Sequence, residues 1–135
     1  MLYDIQGDSV MIRAQLLRDK GILVVSPEDR LESTDFERLR LLADPYIEEH
    51  GELNGLLIDA ESFPGWEDFS SMLSHLKFVH NYQKNIKRVA AVTDNGFLAI
   101  LPIVADYFAV AEVRRFEYRD RDTALNWLRT GIKIP

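Results

Sequence analysis

The chain of 135 residues contains no cysteine, which excludes disulfide bonds, thiolate metal sites and a cysteine nucleophile. It also lacks any apolar run close to the roughly 18 to 20 residues that a membrane-spanning helix needs. Residues 1–8 contain no basic stretch followed by an apolar one, as a secretion signal would. We therefore expect a cytoplasmic protein with no integral membrane segment.

Positive charge is also scarce, because 16 basic residues face 22 acidic ones and give a net charge of -6. This balance opposes attraction to phosphate backbones and anionic membranes, so we expect no nucleic-acid partner. The basic residues do form two local groups, which we expect to solvate helix ends and strand edges rather than to define a site. They are Lys84, Lys87 and Arg88, and then Arg114, Arg115, Arg119 and Arg121.

The common catalytic motifs of α/β proteins are missing too. The chain has no Gly-x-Ser-x-Gly elbow, no phosphate-binding glycine-rich loop and no dinucleotide fingerprint. His75 and His80 are five residues apart and do not share a helix face, so they predict no metal site. With 47% hydrophobic and 28% charged residues, the composition is typical of one globular domain over residues 1–135. We expect no cofactor and no enzymatic activity.

The first part of the chain predicts a hairpin and a helix. Residues 9–16 and 21–26 have strand patterns, and the charged segment 17–20 with Gly21 suits the turn between them. Ser33 or Thr34 can cap a helix that ends near Gly51, a residue type that commonly closes helices. Pro45 lies inside this pattern and predicts a kink or a break near residues 43–44.

A short apolar run over residues 56–59 ends in Asp59 and predicts a buried strand. In open α/β sheets, ligands and partners bind just beyond the carboxyl ends of strands, so we expect any functional site within residues 59–68. Asp59 either acts on a ligand or caps a loop through backbone amides, and we favour the structural role. Trp66, beside a Pro-Gly turn, either stacks on a ligand or seals the core.

The remaining pattern alternates helices and strands. A second helix begins at Trp66 or Asp68, and residues 89–93 form a strand that leads through Asp94 into a capped helix. Residues 97–108 are apolar around almost the whole circumference, which indicates a helix that is deeply buried or covered by a partner. Pro102 predicts a kink in it. Residues 112–118 suit a strand, and Asp122 can cap a last helix. The order ββαβαβαβα predicts an α/β fold with a mixed β-sheet.

Three blocks carry a family resemblance by their order and spacing. They are Leu56-Leu57-Ile58-Asp59 with Phe63-Pro64-Gly65-Trp66 and Leu76-Lys77-Phe78, then residues 87–94, then residues 112–116 with 124–128. Together they resemble the bacterial SpoIIAA-like proteins, relatives in fold of the STAS domains of anti-anti-sigma factors and sulfate-transporter tails. The resemblance covers most of the chain. It implies a STAS-like fold, no established catalytic activity and action by binding proteins, while some relatives hold lipids or other apolar ligands.

One departure from that resemblance concerns phosphorylation. Anti-anti-sigma factors carry an Asp-Ser-Ser-Gly type sequence at the start of the helix after the central strand, and a serine there is phosphorylated. Here residues 66–72 contain an inserted Phe69 and lack the glycine. Glu67 and Asp68 would also repel a phosphate, so we interpret Ser70 and Ser71 as helix-surface serines.

Two hypotheses of function follow. In the first, the loop of residues 63–66 and the start of the second helix bind a protein partner or a second copy of the chain, which predicts an exposed apolar patch there. In the second, the chain carries a small apolar, lipid-like ligand between the second and third helices. The lining candidates, which ordinary core packing also explains, are Phe69, Phe78, Phe97, Tyr107 and Phe108.

An enzyme built around Asp59 and Asp94 is the third and weakest hypothesis. The residues that we assign to partner or ligand binding are Asp59, Phe63, Gly65, Trp66, Asp68, Ser70, Phe78, Asp94 and Phe108.

Overall fold

Alternating strands and helices build an α/β sandwich, as the sequence predicts. The computed structural model describes residues 12–27, 33–62, 85–108 and 111–132. Its strands are β1 Ile12–Leu17, β2 Ile22–Pro27, β3 Leu53–Asp59, β4 Ile86–Val92 and β5 Glu112–Phe116. Its helices are α1 Ser33–His50, α2 Leu101–Tyr107 and α3 Arg121–Thr130, with 3-10 helices at Asn95–Ile100 and Tyr118–Asp120. The predicted second helix lies outside the described residues.

The strands of the described residues form one sheet in the order β1-β2-β3-β4-β5. β1 is antiparallel to β2, and the other neighbouring pairs are parallel. The predicted hairpin is confirmed, since Gly21 has a φ of 68° and its N–H donates to the Leu17 carbonyl at 2.8 Å. The positive φ is the reason that glycine suits this turn. The predicted mixed sheet is confirmed as well.

Each strand alternates its side chains between the two faces of the sheet, and each face has its own core. The first face carries Leu56 and Val89, and its core includes residues of α1 and the buried Val104 of α2. The second face carries Leu57 and Ala90, and its core includes Ala124, Trp127 and Leu128 of α3. The sheet is therefore buried between helices on both faces, as the apolar runs of its parallel strands require.

Helix α1 is not broken at Pro45, because the helix is continuous from Ser33 to His50. The sequence predicted a kink or a break near residues 43–44, and the prediction of a break is therefore wrong. Ala43 and Tyr46, on either side of the proline, are buried in the first-face core, and this packing holds the helical backbone across the missing N–H. Gly51 has a φ of 90° and closes the helix as predicted, with its N–H donating to the Ile47 carbonyl at 2.7 Å.

Residues 97–108 do not form one helix kinked at Pro102. A 3-10 helix runs over Asn95–Ile100, and α2 begins at Leu101 with Pro102 in its first turn. Proline fits there because the first helical N–H groups have no intrahelical acceptor to lose. The apolar circumference is also divided: Phe97 is fully buried, whereas Ile103 is 50% exposed.

The chain after β5 differs from the predicted boundaries. β5 ends at Phe116, and Tyr118 starts a 3-10 helix that leads directly into α3. The N-cap residue of α3 is Asp120 rather than Asp122, and no side chain caps the helix. The cause is the continuous helical entry, since a side-chain cap needs a residue with extended backbone before the helix. Asp122 lies in the first turn instead, where its charge favours the positive end of the helix.

Candidate functional site

The candidate site is the carboxyl edge of the parallel strands β3, β4 and β5. Asp59 pairs in register with Val92, and Val92 pairs with Phe116. The segments that follow these strands therefore start side by side. They include the two carboxylates Asp59 and Asp94, which the sequence assigned to binding.

Asp59 forms an ion pair with Arg121 across the second face of the sheet. The Arg121 Nε donates to the Asp59 Oδ2 at 2.9 Å, and the Asp59 side chain is 14% exposed against 41% for Arg121. Because Asp59 is the last residue of β3 and Arg121 the first of α3, the pair fixes the start of the helix to the end of the strand. This contact is structural, but its partner is a side chain rather than the backbone amides that the sequence analysis expected. A role of Asp59 in binding stays a prediction.

Asp94 caps the 3-10 helix that follows β4. Its Oδ1 accepts a hydrogen bond from the Gly96 N–H at 2.9 Å, and its extended backbone is the conformation of an N-cap residue. The predicted capped helix after this strand is confirmed. Asp94 is exposed, so its side chain also faces solvent at the candidate site.

Arg115 holds the backbone at the end of β4. Its Nε donates to the Thr93 carbonyl at 3.2 Å and to the Asp94 carbonyl at 3.1 Å. Thr93 itself is only 1% exposed, and within the described chain its hydroxyl has no hydrogen-bond partner. Sequence reasoning assigned Arg115 only to a basic group, because its acceptors follow a different strand and are 22 and 21 residues away in the sequence.

Two half-exposed side chains of apolar character follow the carboxyl ends of neighbouring strands. Leu98 in the 3-10 helix after β4 is 49% exposed, and Tyr118 after β5 is 43% exposed. Sequence reasoning missed both, since Leu98 lies in a run that is apolar around almost its whole circumference and Tyr118 was assigned to the end of a strand. The parallel register of β4 and β5 is what places the segments carrying them at one edge.

All of the binding residues that the sequence assigned to the loop and the second helix fall outside the described residues. They are Phe63, Gly65, Trp66, Asp68, Ser70 and Phe78, and their roles stay predictions. Of the predicted lining of an apolar carrier, Phe97 and Phe108 are both 0% exposed and belong to the first-face core. The sequence analysis gave two explanations of these aromatic residues, ligand lining and ordinary core packing. Their complete burial agrees with core packing.

The described residues contain no group of three or more His, Asp or Glu side chains that could hold a metal ion. In the same part of the chain, no helix has the length and hydropathy to cross a bilayer. The contacts described above at this edge include an ion pair, a helix cap and a guanidinium bound to backbone carbonyls. These groups orient the connections between strands and helices.

An α/β sandwich with a five-stranded mixed sheet is consistent with the STAS-like class of domains. The SpoIIAA-like family model matches residues 22–129, which is more than half of the chain. The chain therefore belongs to the SpoIIAA-like family, as its three sequence blocks indicated. Searches of curated proteins and of solved structures found no match. The family indicates a regulatory or interaction domain of STAS type, a class that is generally not enzymatic.

Proposed function

We propose that the chain is a non-catalytic interaction module that binds a protein partner at the carboxyl edge of its sheet. The observation that carries this proposal is the pair Leu98 and Tyr118, which are 49% and 43% exposed after neighbouring strands. Contiguous groups of exposed large apolar side chains are typical of interaction sites. The loop of residues 63–66, which the sequence assigned to partner binding, follows β3 in the chain and lies outside the described residues.

The carboxylates of the edge support a binding role rather than catalysis. General acid–base chemistry needs a carboxyl group that reaches a substrate proton. Asp59 instead meets the Arg121 guanidinium at 2.9 Å, and Asp94 accepts the Gly96 N–H at 2.9 Å. Both carboxylates therefore stabilise the chain segments that form the edge. A partner can then bind these segments in a conformation that is already fixed.

The proposal is tested with the full chain as bait for partners from its native cells, in two variants. Leu98→Ala/Tyr118→Ala removes the apolar side chains of the edge, and Leu41→Ala removes a side chain that is 58% exposed on α1. We expect the double variant to reduce partner recovery about tenfold or more, as the loss of two central contacts does. The control variant should recover the same partner as the unaltered chain. Equal recovery by all forms would overturn the proposed site.

A second variant addresses the loop directly. We expect Trp66→Ala to weaken partner binding while leaving the fold largely intact, because the proposal assigns the tryptophan to the binding surface rather than to the core. Titration with the recovered partner measures the affinity, and thermal unfolding by circular dichroism measures the fold. A cooperative loss of folding would show instead that Trp66 belongs to the core.

A further inference from the structure

Strand β5 lies at the edge of the sheet, because among the described strands only β4 pairs with it. An edge strand leaves alternate backbone N–H and C=O groups unpaired and is a template for another strand. The Phe116 carbonyl accepts the Thr93 N–H at 3.2 Å, so the backbone groups of Phe116 point toward β4. By the alternation of a strand, those of Arg114 and Glu112 also point inward, and those of Val113 and Arg115 point outward.

We propose that two copies of the chain form a two-fold symmetric dimer in which their β5 strands pair antiparallel about Val113. The outward N–H and C=O groups of Val113 in each copy then exchange hydrogen bonds with those of Val113 in the other. Glu112 of each copy lies directly opposite Arg114 of its mate. These are non-hydrogen-bonded positions, where the side chains of antiparallel strands approach most closely.

The charges of β5 select this register. Shifting the two-fold axis by one residue would place Arg114 opposite Arg114, and like charges directly opposite each other destabilise a sheet. With the axis at Val113, two symmetric pairs of opposite charge form instead. Charged residues on an edge usually prevent pairing, but the sequence Glu112-Val113-Arg114 is complementary to itself.

The position of Arg114 suits an intermolecular pair. Its guanidinium carbon lies 4.9 Å from the ring centre of Phe116 and 5.3 Å from that of Trp127. These cation–π contacts hold the guanidinium on the second face of the sheet, the face that Glu112 shares by alternation. Less side-chain entropy is therefore lost when the pair forms.

The other edge of the sheet lacks this complementarity. In β1 the sequence Ile12–Leu17 carries Arg13 and no acidic residue, so two copies of β1 cannot form pairs of opposite charge. On the first face, α2 packs against β5. Across the two-fold axis at Val113, the α2 helices of the two copies lie on the same side of the joined sheet.

Charge reversal tests the dimer by sedimentation velocity over a concentration series. Glu112→Arg and Arg114→Glu each turn both attractive pairs into repulsive ones, so each alone should raise the dissociation constant roughly tenfold or more. An equimolar mixture of the two variants should form dimers with one chain of each, because every facing pair is then attractive. Arg119→Glu changes a residue whose side chain is 84% exposed outside β5, and it should dimerise as the unaltered chain does.

A monomeric unaltered chain at every concentration, or single variants that dimerise as well as it does, would overturn the proposal. So would a mixture that forms no mixed dimers while both variants keep their circular dichroism spectra. The β5 variants leave Leu98 and Tyr118 unchanged. The dimer proposal can therefore fail in sedimentation while the proposed partner site is still supported by partner recovery.

Introduced cysteines test the register without reversing a charge, in a chain that has no cysteine of its own. Non-hydrogen-bonded positions bring two Cα atoms to about 4.5 Å, within the range of a disulfide bond. A mixture of Glu112→Cys and Arg114→Cys chains should therefore form a disulfide between the two kinds of chain on mild oxidation. Either variant alone should link far less, because its cysteines are then two residues out of register. Equal linking in all three samples, or none in any, would contradict pairing about Val113.

Discussion

Single arginines of this acidic chain act on the protein's own backbone and carboxylates. Arg88 donates to the Leu128 carbonyl at 2.7 Å at the end of α3, and Arg115 donates to carbonyls at the end of β4. The sequence predicted such roles for its basic groups, but not the partners. Arg88 and Leu128 are 40 residues apart, and no local pattern encodes a contact over that separation.

The ion pair between Asp59 and Arg121 can be measured by a double-mutant cycle. We expect Asp59→Ala and Arg121→Ala to couple by about 1 kcal/mol in the free energy of unfolding, because the Asp59 side chain is largely buried and Arg121 is not. Urea unfolding of the two single variants and the double variant gives the coupling. Additive effects would show that the pair contributes nothing to the attachment of α3.

Gly55 permits the close approach of α3 to the sheet. A Cβ at this position would lie 2.7 Å from the Leu128 Cδ2 and 2.9 Å from its Cβ. We expect Gly55→Ala to lower the free energy of unfolding by about 1 to 3 kcal/mol through overpacking. The variant Leu128→Ala removes most of the facing side chain, so the double variant should cost less than the sum of the two single changes. If the double variant instead loses as much unfolding free energy as the two single variants together, α3 lies further from β3 than in the structure.

At the scale of elements, the segment from the 3-10 helix through α2 has one buried face and one exposed face. Phe97 and Phe108 are 0% exposed, whereas Leu98 and Ile103 are about half exposed at 49% and 50%. Hydropathy alone could not predict this division, since both faces are apolar. The position of the segment over the first-face core decides which side chains are covered.

Two substitutions in this segment should differ in their effect on the free energy of unfolding, because one lies on its buried face and the other on its exposed face. Phe108→Ala should cost about 3 to 5 kcal/mol of unfolding free energy because the ring is fully buried. Ile103→Ala, on the exposed face of α2, should change stability by no more than about 0.5 kcal/mol. Urea unfolding checks both values. A cost near zero for Phe108→Ala would place that ring at an open surface or cavity.

At the scale of the whole molecule, the sequence patterns predicted the hairpin, the mixed sheet and helix α1, but not the bounds of the later helices. The buried strands were predictable because Leu56, Leu57 and Ile58 are apolar in succession, as a strand covered on both faces requires. Helix starts and breaks were less predictable. Packing around Pro45 overrides a local rule, and the 3-10 turn before Arg121 replaces a side-chain cap.

The sequence indicated that Asp59 and Asp94 lie near the ends of strands, but it did not indicate which apolar side chains are exposed there. The expectation that function lies beyond the carboxyl ends of strands led to Asp59 and Asp94 from sequence alone. Leu98 and Tyr118 became candidates only when their exposure and the register of β4 and β5 were known. The single sequence contains the apolar residues, but only the fold assigns them to solvent or to core.

The central claim is that this SpoIIAA-like chain acts through protein contacts rather than through a bound small molecule. Native mass spectrometry of the protein, purified from its native cells without detergent, tests that claim most directly. The account predicts masses of one or two polypeptide chains, or of a chain with a protein partner, and no added small-molecule mass. An extra mass of small-molecule size that disappears on denaturation would contradict it and identify the chain as a carrier.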